Sequence, residues 1–150
     1  MSQSLVCQLI HMVFSTKHRF PLIVPELRPR LYPYFGGLLR AGQGRLLKAG
    51  GTSDHVHLLA SLHQTSSIAG TICEIKSKTS IWIHEEFPRL KKFSWQTGYG
   101  AFSVGFGEVE RVKRYIETQE AHHRRKTFKE ELIWLLEEHG LEYDERYLWD

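Results

Sequence analysis

Cysteine is scarce in these 150 residues: Cys7 and Cys73 stand far apart, with no Cys-x-x-Cys spacing anywhere. That excludes a disulfide-built scaffold and a zinc ribbon or finger, and it predicts two buried, reduced thiols in a cytosolic protein. Long apolar runs are also missing; none approaches the roughly 20 residues that a membrane-spanning helix needs. The opening Met1-Ser2-Gln3-Ser4-Leu5 lacks the basic start and small-residue cleavage site of a secretory signal, so the expected location is the cytoplasm. There is no internal repeat, low-complexity tract or linker. The length therefore suits one domain over residues 1–150, large enough to bury a core. Charge of one sign is not in large excess: 20 Lys and Arg against 17 Asp and Glu give +3. That mild balance permits nucleic acid as a partner without proving it.

What is present is a succession of strand and helix patterns. Residues 5–15 (LVCQLIHMVFS) are apolar and β-branched enough for a strand, closed by Lys17-His18-Arg19. Over residues 25–41, Leu27, Leu31, Tyr34/Phe35 and Leu38/Leu39 recur at helical spacing. Pro25 and Pro29 suit the start of this helix, Pro33 and Gly36-Gly37 weaken its interior, and Gly42 and Gly44 end it. Residues 45–49 read as a short strand and Gly50-Gly51-Thr52-Ser53 as a turn, so a second strand from His55 to about His63 completes a hairpin. Ser66-Ser67 can cap a helix whose Ile68, Ile72, Ile75, Thr79 and Ile83 form one buried stripe, with Pro88 beyond its end. A last strand is expected over residues 99–104, then a helix over 108–119 buried through Val109, Val112 and Ile116. Thr127-Phe128-Lys129-Glu130 fits a capping box that opens a helix through Leu132, Leu135 and Leu136 to Gly140. The order β-α-β-β-α-β-α-α predicts an α+β, ferredoxin-like (split βαβ) fold, a four-stranded antiparallel sheet with helices on one face. Such a fold implies no function by itself.

Chemistry concentrates in Asp54-His55-Val56-His57-Leu58-Leu59. Side chains alternate along a strand, so His55 and His57 share a face about 7 Å apart and can converge on one cation. A plain pair of hydrogen-bonded strand histidines fits the same pattern. On the helix of residues 108–119, Arg111, Tyr115, Gln119 and His122 stack on one stripe. Taken alone, Tyr115 reads as a rim residue bonded to something nearby. Arg111, Lys113, Arg114, Arg124, Arg125, Lys126 and Lys129 cluster around His122 and His123. A polyanion groove needs such a cluster, and a solvated helix face with a basic loop looks the same. Trp95 and Tyr99 suit either base stacking or the core, and Lys76 and Lys78 either DNA or solvent. His63 would lie on the histidine face only if the strand runs straight. Asp54 reads as a turn residue, and the acidic residues 131–150 as packing or dimer contacts.

The pairing of His-x-His with Tyr-x-x-x-Gln some sixty residues later resembles the HUH single-strand DNA endonucleases. It is most similar to the single-tyrosine transposases of small bacterial insertion sequences and their REP-associated relatives. His11-Met12-Val13-Phe14-Ser15-Thr16-Lys17, Lys76-Ser77-Lys78-Thr79-Ser80 and Trp95-Gln96 through Tyr99 resemble other blocks of that family. The resemblance implies that His55 and His57 bind a divalent metal, Mg²⁺ or Mn²⁺, with Gln119 as third ligand and Tyr115 as nucleophile. It implies cleavage and rejoining of hairpin-bearing single-stranded DNA through a covalent 5′-phosphotyrosine that frees a 3′ hydroxyl. A phenol with a pKa near 10 needs a metal or base nearby for that role, and two imidazoles suit Mn²⁺ better than the oxygen-seeking Mg²⁺. Candidate DNA contacts are Lys17, Arg111, Arg114, His122, Arg124, Arg125 and Lys126. The family also implies a homodimer joined through the sheet, and leaves open whether Tyr115 serves the histidines of its own chain or those of the partner. The competing expectations are a domesticated nuclease that no longer transposes, a non-catalytic single-strand-binding module, and a phosphoesterase that uses water while Tyr115 is structural.

Overall fold

Alternation along two neighbouring strands decides which residues meet which helices. The structure, a computed structural model, describes residues 2–149. Strands β1 (Leu9–Ser15), β2 (Arg45–Gly51), β3 (His55–Ser61) and β4 (Gly100–Ser103) form one antiparallel sheet in the order β2-β3-β1-β4. In β1 and β3, Ile10, Met12 and Phe14 share a face with Val56, Leu58 and Ala60. His11, Val13 and Ser15 share the other with His55, His57 and Leu59, Val13 lying directly opposite His57.

The first face is packed by α1 (Arg28–Ala41) and α2 (Ile68–Glu86). Leu31, Phe35 and Leu39 come from α1, and Ile72, Ile75 and Ile83 from α2, as their spacing predicts. The Ser67 hydroxyl caps α2 by accepting the Gly70 N–H at 2.9 Å. Trp95 belongs to this core and not to a stacking surface: it packs edge-on against Phe14 and Phe93, and its indole N–H donates to Thr79 Oγ1 at 2.9 Å. Lys76 is likewise engaged, donating to the carbonyls of Gln96, Thr97 and Gly98 at 2.9, 3.3 and 2.7 Å. It pins the segment between α2 and β4.

The expected α+β, split βαβ architecture is borne out, with α1 and α2 as its helical layer. The helices are not confined to one face as expected, because the buried His55 and His57 face is covered too: α3 (Val109–Glu117), α4 (Gln119–His122) and α5 (Phe128–Glu138) form a second layer there, followed by the short α6 (Glu145–Leu148). Phe128, Leu132, Leu135 and Leu136 of α5 close over Val13 and Phe102. The Thr127 hydroxyl caps α5 at the Glu130 N–H, 3.2 Å away. The helix predicted over 108–119 breaks at Thr118, and of its expected stripe only Ile116 is buried. Both cysteines are exposed, contrary to expectation. Cys7 precedes β1, and Cys73 sits one residue past buried Ile72, off the inward stripe of α2. No helix among the described residues is long and apolar enough to cross a membrane.

Candidate active site

The two strand histidines are wholly buried on the face away from α1 and α2. Each is held from behind. His55 Nδ1–H donates to Asp54 Oδ1 at 2.8 Å, and the same oxygen accepts the Thr52 hydroxyl at 2.9 Å. His57 Nδ1 lies 2.8 Å from Nε2 of His11, its diagonal neighbour on β1. Asp54 is therefore more than the turn residue expected of it. With both Nδ1 atoms engaged, both Nε2 atoms point into one space beneath the second helical layer.

That layer supplies the rest. Gly50 lets α3 lie directly on β2: a Cβ there would fall on the Ile116 carbonyl oxygen and 2.9 Å from Ile116 Cγ2. The Gly50-Gly51 pair, expected in a turn, thus ends a strand, because a close helix needs a residue with no side chain. Lys48–Glu117 at 3.2 Å and Arg28–Glu120 at 2.6 Å tie α3 and α4 to the same chain. At the break, the Thr118 hydroxyl donates to the Arg114 carbonyl, and Gln119 Nε2 donates to the Tyr115 carbonyl at 3.3 Å. This fixes the amide so that Gln119 Oε1 accepts from His55 Nε2 at 3.1 Å. From α5 comes Glu131, 2% exposed. Its Oε1 lies 2.9 Å from His57 Nε2, 3.1 Å from His123 Nε2 and 3.4 Å from His55 Nε2, while its Oε2 accepts the Tyr115 hydroxyl.

Electrostatics follow from that geometry. Burial lowers the His55 pKa, but hydrogen bonds to Asp54 and Glu131 outweigh it and raise the ring to about 9, so both nitrogens are protonated at neutral pH. His57 is shifted down: burial outweighs its bond to Glu131. A neutral His57 donates through Nε2–H and accepts at Nδ1 from His11, itself held well below the usual range by burial and by His57. Burial pushes Glu131 up, yet hydrogen bonds from His123, His55 and His57 hold it well below the ordinary carboxylate range. Tyr115 is raised by burial and by the Glu131 charge beside it, so its phenol keeps its proton.

Comparison with known proteins identifies the relatives. Residues 5–119 match the family described as "Transposase IS200 like". This chain belongs to the IS200-like transposase family. The transposase for insertion sequence element IS200 of Salmonella typhimurium is 27% identical over 114 residues, 73% of this chain and 74% of that protein, and the one of Salmonella typhi matches equally. A putative transposase of Deinococcus radiodurans R1 shares the fold with a TM-score of 0.65 at 21% identity, over 79% of this chain and 98% of its own. A REP-associated tyrosine transposase bound to a REP hairpin does so with a TM-score of 0.61 at 15% identity, over 82% and 74%. Membership carries DNA-cleaving transposase activity as the general character of this IS200-like chain.

Of the residues singled out from sequence, this transposase-family chain brings His55, His57, Tyr115 and Gln119 together, all from one molecule. Of the two placements left open for Tyr115, this chain shows it beside its own histidines, its ring 5.8 Å from that of His57. His63 lies outside it, past the end of β3, bonded to Thr65. Of the candidate DNA contacts, Arg111 pairs with Glu108 on the outside of α3, and Arg114 is exposed there. His122 is exposed with its ring 4.9 Å from that of Tyr115. Arg124, Arg125 and Lys126 form the exposed turn between α4 and α5, and Lys17 is exposed just after β1. Sequence reasoning missed Glu131, His11 and His123 as members of the cluster. Glu131 carried a signal: it sits inside the buried stripe of Phe128, Leu132 and Leu135, where a carboxylate needs partners. His11 did too, sharing a face with Val13 in an otherwise apolar strand. A divalent cation suits these donors: His55, His57 and Glu131 offer ligand atoms within 4.8 Å of one another, with Gln119 Oε1 beside them.

Proposed function

We propose that this protein is a metal-dependent tyrosine transposase that cleaves and rejoins hairpin-bearing single-stranded DNA in the cytoplasm. The observation carrying this reading is that Tyr115 reaches the same Glu131 carboxylate as the two strand histidines, within one chain. His55 and His57 through Nε2, Gln119 through Oε1 and Glu131 through Oε1 would hold Mg²⁺ or Mn²⁺. When bound, the metal polarises the phosphodiester and steadies its developing charge. Metal binding requires His55 to release its Nε2 proton and His57 to carry its proton on Nδ1, donating to His11.

The chain's own residues do the rest. Glu131 Oε2 accepts a hydrogen bond from the Tyr115 hydroxyl at rest and is the acceptor placed to take its proton. Tyr115 Oη then attacks phosphorus, the bond to the 3′ oxygen breaks, and the leaving oxygen takes up a proton as a free 3′ hydroxyl. The 5′ phosphate stays on the tyrosine, which conserves the bond for rejoining to another strand. A homodimer on this reading would bring together two complete sites, the cis alternative that the sequence left open. Arg114, Arg124, Arg125, Lys126 and Lys17 offer exposed positive charge to the DNA backbone.

The test is incubation with labelled hairpin-bearing single-stranded DNA and Mn²⁺ or Mg²⁺. Wild type is expected to form a covalent protein–DNA adduct that Tyr115→Phe abolishes. Cleavage that survives Tyr115→Phe without an adduct would assign a water-using phosphoesterase instead. Binding without cleavage in either metal would leave a single-strand-binding module.

A further inference from the structure

Beside Tyr115, on the side away from His123, a cleft of about 280 Å³ opens between α3 and α5. Its floor is His11 and Phe102, and its walls carry Tyr115 and Trp134. Trp134 is 41% exposed, although it lies on a helix whose buried stripe is already complete in Phe128, Leu132, Leu135 and Leu136. The core therefore does not require it. Trp134 follows Glu131 by three residues on α5, so one helical turn fixes its ring relative to the carboxylate that holds the Tyr115 hydroxyl. The two ring centroids are 6.1 Å apart.

Charge decides what enters. Glu108 and Glu138 line this cleft, and its Arg111 is spent on Glu108, so a phosphate is repelled. On the other flank of the site a second cleft, about 530 Å³, is lined by Arg19, Lys126 and Lys129 together with His123. Backbone phosphates belong there. Lys126 joins the two, its Nζ lying 5.6 Å from the Trp134 ring centroid. A strand whose phosphates follow the basic flank presents a base, not a phosphate, to the acidic, aromatic-walled cleft.

We infer that the cleft between α3 and α5 is a base subsite, in which an unpaired base next to the phosphate attacked by Tyr115 stacks on Trp134. This rests on the single-strand reading proposed above. Stacking on an aromatic side chain tolerates any base, because every base has a π face.

The experiment reads binding, so that turnover does not enter. Tyr115→Phe protein is mixed with a DNA hairpin carrying a single-stranded tail of mixed sequence, with 5-iodocytosine at one tail position per pool, and irradiated. The expected result is a crosslink mapping to Trp134 from one or two adjacent tail positions. Trp134→Ala in the same background should weaken binding of the tailed hairpin roughly tenfold to a hundredfold, and Trp134→Phe should restore most of it. Tyr147→Ala, at an aromatic 68% exposed on α6 outside the cleft, should change nothing. Crosslinks that avoid Trp134, unchanged affinity in Trp134→Ala, or no binding of the tailed hairpin would each overturn the inference. Its failure is distinct from failure of the catalytic reading. Wild type lacking a Tyr115 adduct while still crosslinking at Trp134 sinks only the chemistry. An adduct formed equally well by Trp134→Ala sinks only the subsite.

Discussion

The two faces of the central sheet are made by the same strands, residue by alternate residue, and are buried to the same degree. On one side Met12, Phe14, Val56 and Leu58 are fully covered by α1 and α2. On the other His55 and His57 are just as fully covered, and His11 nearly so, by α3, α4 and α5. The difference is what burial demands. An apolar side chain needs only volume filled, at about 25 cal/mol per Å² removed from water. An imidazole needs partners for its ring nitrogens or it loses more than it gains. Hence the first face is a packing problem with many sequence solutions. The second is a chain of named partners, Asp54 to His55 to Gln119 and His11 to His57 to Glu131 to Tyr115, in which each residue fixes the next.

The comparison breaks most severely if both faces serve both purposes. Phe14→Ala, in the apolar face, should lower the unfolding free energy by about 3–5 kcal/mol. Below its melting range the variant should still bind Mn²⁺ within about twofold of wild type, since Phe14 points away from every ligand. Denaturant unfolding beside calorimetric Mn²⁺ titration measures both. A large loss of metal affinity in the folded variant would show that the faces are not independent.

How much of each face was legible in the sequence follows the same division. Periods of two and of 3.6 residues located the strands, the α2 stripe of Ile72, Ile75, Thr79 and Ile83, and the capped start of α5. His55, His57, Tyr115 and Gln119 stood out by spacing. The residues that join them did not, because their partners are remote in sequence: Glu131 was given only a packing or dimer role, and Gly50 was given to a turn. Gly50 is used for its missing side chain under Ile116, a demand set by a helix that no local window contains. The kink at Thr118, which turns Gln119 toward His55, is likewise a product of tertiary contact.

A pH series on the metal-free protein sharpens the contrast, because folding moves three histidines of one face away from their ordinary value near neutrality. The His55 ring is raised to about 9 from an ordinary value of 6.5. Its contribution is fully present below pH 6.5 and lost as pH rises through 9, about 3 kcal/mol in all. His57 and His11 are shifted down, so folding holds them neutral, and stability falls as pH drops below 6.5. Asp54 and Glu131, both lowered, add to the loss on the acid side. The expected curve in chelator therefore peaks near pH 6.5. Lys76, lowered to about 8 by burial, acts oppositely from there to about 10.5, so the alkaline limb is read as wild type minus Asp54→Asn. A difference that stays flat from pH 6.5 to 9 would refute the role given to the Asp54–His55 pair.

The smallest effect concerns the partners behind the two histidines, and it tests whether the site is ordered from outside. Asp54 and His11 touch no ligand position; each meets only the far nitrogen of a ring. Their part is to fix tautomer and ring angle, which typically carries a tenfold to hundredfold effect on metal affinity. Asp54→Asn keeps an acceptor oxygen but removes the charge, and His11→Phe keeps bulk but removes the acceptor that the metal-binding tautomer of His57 requires. Both should weaken Mn²⁺ binding by such a factor, Asp54→Asn the more because its partner bond carries charge. Neither should change thermal stability in excess metal by more than a few degrees. If one variant binds as wild type does, its histidine is oriented from the front instead, and Glu131 on α5 is the residue that remains to orient it.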